Sequence, residues 1–346
     1  MRITRAVPLV GASTVSVVVP CYNYGRYLPQ LLRWVVDQPG IDVEVIIVDD
    51  ASPDGSGDQA EELAADYEQV KVIRHLTNRG HIQTYNDGLE AVTGEFVTLL
   101  SADDLVPPGA LSRAAALLSA HPDVGMVYGY APSFSGEPPA PNASVRNWTI
   151  WSGYEWLRHS ARRARNFISS PEVVMRTAAL REVGLYDPGL PHSGDLDLWL
   201  RTALHWDIGR VNGPDQALYR VHDANMHLTT FAGTLLDLHA RRTTFDLLFT
   251  RHARRRADIA RLRPSVSRAL AREAGRAITL GQLDRLPLEE LQPLADFAVD
   301  TDPFAPQSRQ IRRLRSGRRL RQPGFTRFFL QLQHHLRWRR ERRYGI

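Results

Sequence analysis

The chain has one cysteine, Cys21, in 346 residues. A single thiol excludes an intrachain disulfide framework and a cysteine-based metal cage, and it suits a reducing cytosol. No run of 18 apolar residues occurs, so no helix is expected to cross a bilayer. The apolar part of Met1–Gly11 is too short for a secretory signal. The triplets at Asn142 and Asn147 are therefore read as chance matches to the glycosylation pattern. Glycine-rich phosphate cradles are missing too. There is no GxxxxGK[ST], and no GxGxxG follows the first apolar run. That sets aside P-loop enzymes and ordinary dinucleotide binders.

What is present is ordinary globular composition, 43% apolar and 23% charged, enough for one large or two modest domains. The net charge of +5 hides a division. Residues 240–346 hold 25 arginines against 10 acids, whereas the first 239 residues carry a balance of −10. A step of this size suggests two regions with different tasks.

In the first region short apolar runs alternate with helical spacing. Val15–Val19 predicts a buried strand, followed by Pro20-Cys21-Tyr22-Asn23-Tyr24-Gly25 and a helix over about 26–36. Val43–Val48 predicts a second strand ending in Asp49-Asp50, then a turn and a helix over about 58–67. Val70–Arg74 is a third, and Asn78-Arg79-Gly80 turns into a helix reaching Ala91. Phe96–Leu100 is a fourth, ending in Ser101-Ala102-Asp103-Asp104, with a helix over 111–120 and a fifth strand at Val124–Tyr128. This alternation predicts an α/β fold, a mostly parallel sheet flanked by helices on both faces. Ligands of such sheets lie beyond the carboxyl ends of the strands. Tyr22, Asn23, Asp49, Asp50, Asn78, Asp103 and Asp104 all fall at those ends.

Asp103 and Asp104 stand side by side at the mouth of a buried strand and repel each other. Either they cap the helix that follows, or they share a divalent cation that also holds a diphosphate. An acidic rim without a glycine cradle favours a nucleotide bound partly through a metal bridge.

Four stretches then carry a family resemblance: PCYN after the first strand, VDDASPDGS after the second, NRGHIQTYNDGLEAVTGEFVTLLSADD, and later SGDLDLWLRTA with LYRVHDANM. Together, over about residues 14–227, they resemble glycosyltransferase family 2. The resemblance implies a GT-A fold and transfer of a sugar, with inversion, from a nucleoside-diphosphate sugar. It puts Pro20, Tyr22 and Asn23 around base and ribose, Asp50 as acceptor for a base N–H with Asp49 in support, and Asn78 at the donor's border. The family's D-x-D motif begins with Asp where this chain has Ser101. Ser101 is left a hydroxyl contact to the ribose, and Asp103 with Asp104 would hold Mg²⁺ or Mn²⁺ on the diphosphate. His222 would sit near the metal, and Arg220 would neutralise the leaving diphosphate. The catalytic base falls on Asp195, with Gly194 where the family has Glu. A carboxylate at a helix start is otherwise a cap.

Asp197 is read as structural, paired with Arg201 at the i,i+4 spacing. Residues 129–147, rich in Pro, Ser and Gly, read as a loop. Trp148, Trp151, Tyr154 and Trp156 follow it and read as packing rather than sugar-stacking groups. Residues 167–176 read as a loop and strand, 177–183 as a helix, and 206–210 and 216–221 as the last strands. The domains are placed at 1–227, nucleotide-sugar binding and catalytic, and 228–346, helical with a basic tail. Helical spacing runs over 235–249, 253–262, 266–280 and 288–299. Residues 309–343 carry thirteen arginines and one acid, with Phe325, Phe328, Phe329, Leu332 and Leu336 on one helical face. This pattern fits a helix on an anionic membrane surface, a helix docked on its own domain, or a homo-oligomer contact. No recognised module accompanies it for nucleic acid.

The combined expectation is an inverting glycosyltransferase in bacterial glycan, polysaccharide or glycolipid assembly. Its acceptor is a glycan or a lipid-linked saccharide. Its place is the cytoplasm, peripheral on the inner face of the plasma membrane where the tail binds lipid. The competing expectation is a non-catalytic sugar-nucleotide or glycan-binding module on the same fold. A nucleotidyltransferase would carry a Gly-rich loop with Arg after the first strand, which PCYN is not.

Overall fold

A computed structural model describes residues 1–226, 230, 232–252, 257–319, 324, 326–328 and 332. The chain forms two compact units, one of residues 1–156 with 167–223, the other of 157–166 with 224–344.

The first unit holds the strands β1 (Arg2–Thr4), β2 (Thr14–Cys21), β3 (Asp42–Asp49), β4 (Val70–Arg74), β5 (Phe96–Leu99), β6 (Val124–Tyr128), β7 (Ser133–Phe134), β8 (Asn147–Trp151), β9 (Val174–Arg176), β10 (Asp207–Asn212) and β11 (Tyr219–Arg220). Nine of them make one sheet in the order β1-β8-β10-β6-β9-β5-β2-β3-β4, and β7 pairs with β11 apart from it. β2 lies parallel between β3 and β5, β3 parallel to β4, and β6 parallel to β10. β9 runs antiparallel between β5 and β6, and β8 antiparallel between β10 and β1.

The helices of this unit are α1 (Leu28–Val35), α2 (Ser56–Ala65), α3 (His81–Glu90), α4 (Ala110–Ala120), α5 (Gly153–Arg163, whose last turns join the second unit), α6 (Thr177–Val183) and α7 (Gly194–His205). β2 reads as a continuous apolar run because Val15, Val17, Val18 and Val19 are all fully buried, on both faces of the sheet. α1 buries Leu28, Leu31, Leu32 and Val35, the stripe that helical spacing places toward a sheet. α3 lies close on β2 and β3 because position 88 is glycine. A Cβ there would come within 2.4 Å of Val18 Cγ1.

The five expected strands are present with their ends shifted by at most two residues. β1 and β8 were not expected, and β7 falls inside the segment read as a loop. These are edge or antiparallel pairings made with distant partners, so local spacing carries no mark of them. Trp148, Trp151 and Trp156 are buried, as packing groups are.

In the second unit α8 (Thr234–His252), α9 (Ala257–Ala260), α10 (Arg263–Leu283), α11 (Gln292–Thr301) and α12 (Arg309–Arg315) pack largely around α10. Residues 157–166 join them, and Arg241 Nη1 donates to the Ala164 carbonyl at 3.1 Å. Of the helix expected over 253–262, residues 253–256 lie outside the described residues. α12 seats Ile311 and Leu314 in the interior and turns Arg309, Arg312 and Arg315 to solvent. Phe325, Phe329, Leu336 and Arg337–Arg343 of the expected amphipathic tail lie outside the described residues. Phe328 and Leu332 are exposed.

Candidate active site

Because β3, β2 and β5 are adjacent and parallel, their carboxyl ends share one edge, with Cys21 beside Asp49 and Val18 beside Leu99. The chain leaves β2 through Asn23, which adopts a left-handed φ of 61°, a conformation Asn tolerates better than most residues. The Asn23 N–H donates to Ser52 Oγ at 3.0 Å, and its own Oδ1 is buried with no partner among the described residues. Pro20 is half-buried and Tyr22 exposed, so this turn opens outward.

Asp50 is buried, and its oxygens accept from the Arg79 N–H at 2.7 Å and the Gly80 N–H at 2.9 Å, with His75 Nδ1 2.7 Å away. Burial pushes this carboxyl up, but the two backbone donors and His75 outweigh it, so its pKa ends below the usual value. Asp49 accepts from the Ser52 N–H at 3.3 Å, and its Oδ1 is buried with no partner among the described residues. Asn78 is exposed and donates to the Asp50 carbonyl at 3.3 Å. Asp50 therefore ties the end of β3 to the turn that starts α3.

Beyond β5, Ser101 is half-buried, while Asp103 and Asp104 are buried. They do not cap the next helix, whose first residue is Ala110. Asp103 Oδ2 lies 2.9 Å from His222 Nε2, and Asp104 Oδ1 accepts the Arg220 N–H at 2.8 Å. Burial raises Asp103 despite the opposing pull of His222 and Arg220. Burial and the charge of Asp103 raise Asp104 well above its ordinary value. The His222 ring stacks on Tyr27 at 5.8 Å and meets the edge of Tyr24 at 5.5 Å. The YNYGRY segment after β2 thus holds this imidazole. Arg220, which the resemblance set at the leaving group, has its guanidinium engaged inside the unit. It donates to the carbonyls of Asp103 and Gly136 and to Gln30 Oε1.

Asp195 lies in the first turn of α7, whose N-terminal dipole favours negative charge. Tyr186 Oη donates to Asp195 Oδ1 at 2.8 Å. Burial raises the carboxyl, opposed by that hydrogen bond and by the charge of His81. Asp197, two residues on, accepts from Arg201 Nε at 2.7 Å, as its spacing predicted.

Asp195, Asp103 and Asp104 all lie within electrostatic reach of the same two tyrosines. Tyr85 on α3 and Tyr219 on β11 are both pushed up by burial and by the negative charge of Asp195, Asp103 and Asp104 together. Neither tyrosine was singled out in the sequence. Tyr85 lies within the NRGHIQTYNDG stretch and Tyr219 within LYRVHDANM, but a tyrosine at a helical spacing reads first as packing.

Asp103 and His222 make a two-group donor set. No cluster of three or more His, Cys, Asp or Glu poised for a metal occurs among the described residues. Mg²⁺ and Mn²⁺ suit this arrangement, because such ions are commonly held by one or two protein groups and completed by substrate phosphates and water. A cation beside these adjacent buried carboxylates would favour their charged forms, offsetting the burial and mutual repulsion that raise them.

Residues 16–184 match the family model described as Glycosyl transferase family 2. The chain is 28% identical over 228 residues to an uncharacterized glycosyltransferase of Nostoc sp., covering 64% of this chain and 68% of that protein. It is 35% identical over 92 residues to the glycosyltransferase GlyG of Streptococcus pneumoniae, covering 27% and 31% of the two chains. Among solved structures it is similar to residues 1–349 of TarS from S. aureus in complex with UDP-GlcNAc, with a TM-score of 0.63, 20% identity, and 88% and 87% of the two chains covered. It is also similar to the mannosyltransferase PcManGT from Pyrobaculum calidifontis in complex with GDP-Man and Mn²⁺, with a TM-score of 0.54, 18% identity, and 89% and 85% covered. With the sheet order, the acidic rim and these likenesses in agreement, residues 16–184 match glycosyltransferase family 2, and the chain is a glycosyltransferase of GT-A fold.

Proposed function

We propose that this enzyme transfers a sugar, with inversion at the anomeric carbon, from a nucleoside-diphosphate sugar to an acceptor hydroxyl. The donor lies across the carboxyl ends of β2, β3 and β5, its nucleoside toward Tyr22, Asn23 and Asp50 and its diphosphate toward Asp103. Asp195 is the base. It takes the proton of the acceptor hydroxyl as that oxygen attacks the anomeric carbon and the bond to the diphosphate breaks. The observation that carries this reading is the placement of Asp195. Its Oδ1 is held by Tyr186, and its charge bears on the same two tyrosines as the charges of Asp103 and Asp104. A Mg²⁺ or Mn²⁺ ion at Asp103 and His222 would supply positive charge to the departing diphosphate. Relatives in complex with UDP-GlcNAc and with GDP-Man support a nucleotide-sugar donor.

The acceptor is a glycan or a lipid-linked saccharide in bacterial glycan assembly, reached from the cytoplasmic face of the membrane. No described helix is long and apolar enough to cross a bilayer. Contact with anionic lipid is assigned to the arginines of residues 309–343, of which Arg309, Arg312, Arg315, Arg318 and Arg319 are exposed.

The test is Asp195→Asn. Turnover should fall by about 10²–10⁴ while donor affinity stays within a few-fold. Turnover retained within tenfold would remove Asp195 from the chemistry.

A further inference from the structure

The family pattern has Glu where this chain has Gly194, immediately before the proposed base. The structure supplies a physical reason for the glycine. A Cβ at position 194 would lie 2.9 Å from Tyr186 Cδ1 and 3.4 Å from Ile82 Cδ1. The first distance is closer than carbon atoms pack, so a side chain there and the Tyr186 ring compete for one volume. With glycine the ring occupies that volume, and its hydroxyl reaches Asp195 Oδ1 at 2.8 Å.

The ring is held from behind as well. Asn86, buried on α3, accepts the Tyr186 N–H at Oδ1 (3.0 Å) and donates through Nδ2 to the Tyr186 carbonyl (2.9 Å). Both backbone groups of Tyr186 are thereby bound by one side chain. Tyr85, one residue before Asn86, sets its ring 5.4 Å from that of Tyr186 at 72°. On the other side Arg201 grips the carbonyls of Val183, Gly184 and Leu185, the residues leading into Tyr186. Three side chains from two parts of the sequence, Tyr85 and Asn86 on α3 and Arg201 on α7, therefore fix where one phenol oxygen sits.

We propose that Tyr186 is the positioning residue of the base: clamped by Asn86 and admitted by Gly194, it holds Asp195 as an oriented carboxylate with Oδ2 directed to the acceptor hydroxyl. The inference rests on the reading of Asp195 as base. A phenol that donates to a carboxylate favours the charged form, the form a base needs, and it leaves the second oxygen to take the proton. The other charged and titratable groups that bear on this site are His81 and Tyr85 on α3, Asp197 and Arg201 on α7, Tyr219 on β11, and Asp103 and Asp104 after β5. His81 attracts the charged form and is itself tied to the Pro191 carbonyl at 3.0 Å. Among the described residues Tyr186 makes the one hydrogen bond to the carboxylate of Asp195.

The experiment is a pH–rate profile of the full chain, its Tyr186→Phe and Gly194→Ala variants, and Asp195→Asn, with thermal melting to show that each is folded. Tyr186→Phe keeps the ring and removes the hydroxyl. Loss of a hydrogen bond to a charged group weakens ionisation of the base about ten- to a hundredfold, so the acid limb of kcat should move to higher pH by about one to two pH units. Well above the limb most of the rate should return, and donor KM should stay within a few-fold. Gly194→Ala, which displaces the ring without touching its hydroxyl, should move the limb in the same direction. If Asp195→Asn is inactive and both variants keep the wild-type limb, the inference is overturned while the base assignment stands. If Asp195→Asn keeps its turnover, the base assignment fails first. A purely structural tyrosine would lower melting temperature or rate at every pH alike, and that result also overturns the proposal.

Discussion

Replacing Arg201 by methionine should destabilise the catalytic unit by about 3–5 kcal/mol. The figure follows from what the guanidinium holds. Its Nε donates to Asp197 Oδ2 at 2.7 Å, and both side chains are nearly buried, 12% and 6% exposed. Its remaining donors reach the carbonyls of Val183, Gly184 and Leu185, the last two at 2.9 and 2.7 Å. Val183 ends α6, so these carbonyls include ones a helix leaves without internal partners. Methionine fills much of the volume but abandons a buried carboxylate and three acceptors together, and an uncompensated buried charge is the expensive part. For a unit of this size the loss lowers its melting temperature by about 6–20 °C. Six of the seven tryptophans lie in this unit, so fluorescence-detected urea unfolding reports chiefly on it. Arg201→Lys keeps the charge but cannot serve Asp197 and three carbonyls at once, so it should recover less than half of the loss. A loss below about 1 kcal/mol for methionine, or full recovery by lysine, would refute the account of Arg201 as the tie between α6, α7 and the Tyr186 segment.

Two further outcomes are expected. Asp103→Asn should raise the Mn²⁺ concentration for half-maximal turnover at least about tenfold, since a carboxylate is lost from a two-group site; a metal response equal to wild type would move the cation elsewhere. The full chain should sediment with vesicles containing anionic lipid and not with neutral ones. Charge reversal at Arg312, Arg315, Arg318 and Arg319 should abolish this, at about 1 kcal/mol per arginine removed from the surface. Unchanged partitioning would take these arginines out of the membrane reading.

The acidic rim was legible because its cause is local. A strand buried on both faces must be a short apolar run, so the residues that follow it stand at the sheet's edge, and Asp49, Asp50, Asp103 and Asp104 could be placed there by counting. The Asp197–Arg201 pair was legible for the same reason, since helix geometry alone brings i and i+4 together. The five alternating strands and the helices between them likewise follow from period and length.

What the sequence by itself determined, then, is the class of fold, the edge at which the acids gather, and Asp195 as the group to test. The tertiary structure decided the rest. β1 and β8 exist only because Ile3 and Thr149, or Ile150 and Gly209, meet across long separations. Residues 157–166 leave the first unit for the second in mid-helix, with no break in spacing to announce it. Tyr186 and Asn86 are 100 residues apart and look like any tyrosine and any asparagine until one side chain closes on both backbone groups of the other. Gly194 read as a missing glutamate. Only the packed ring of Tyr186 gives the glycine a cause, because close packing is set by atoms distant in sequence, and no local spacing records it.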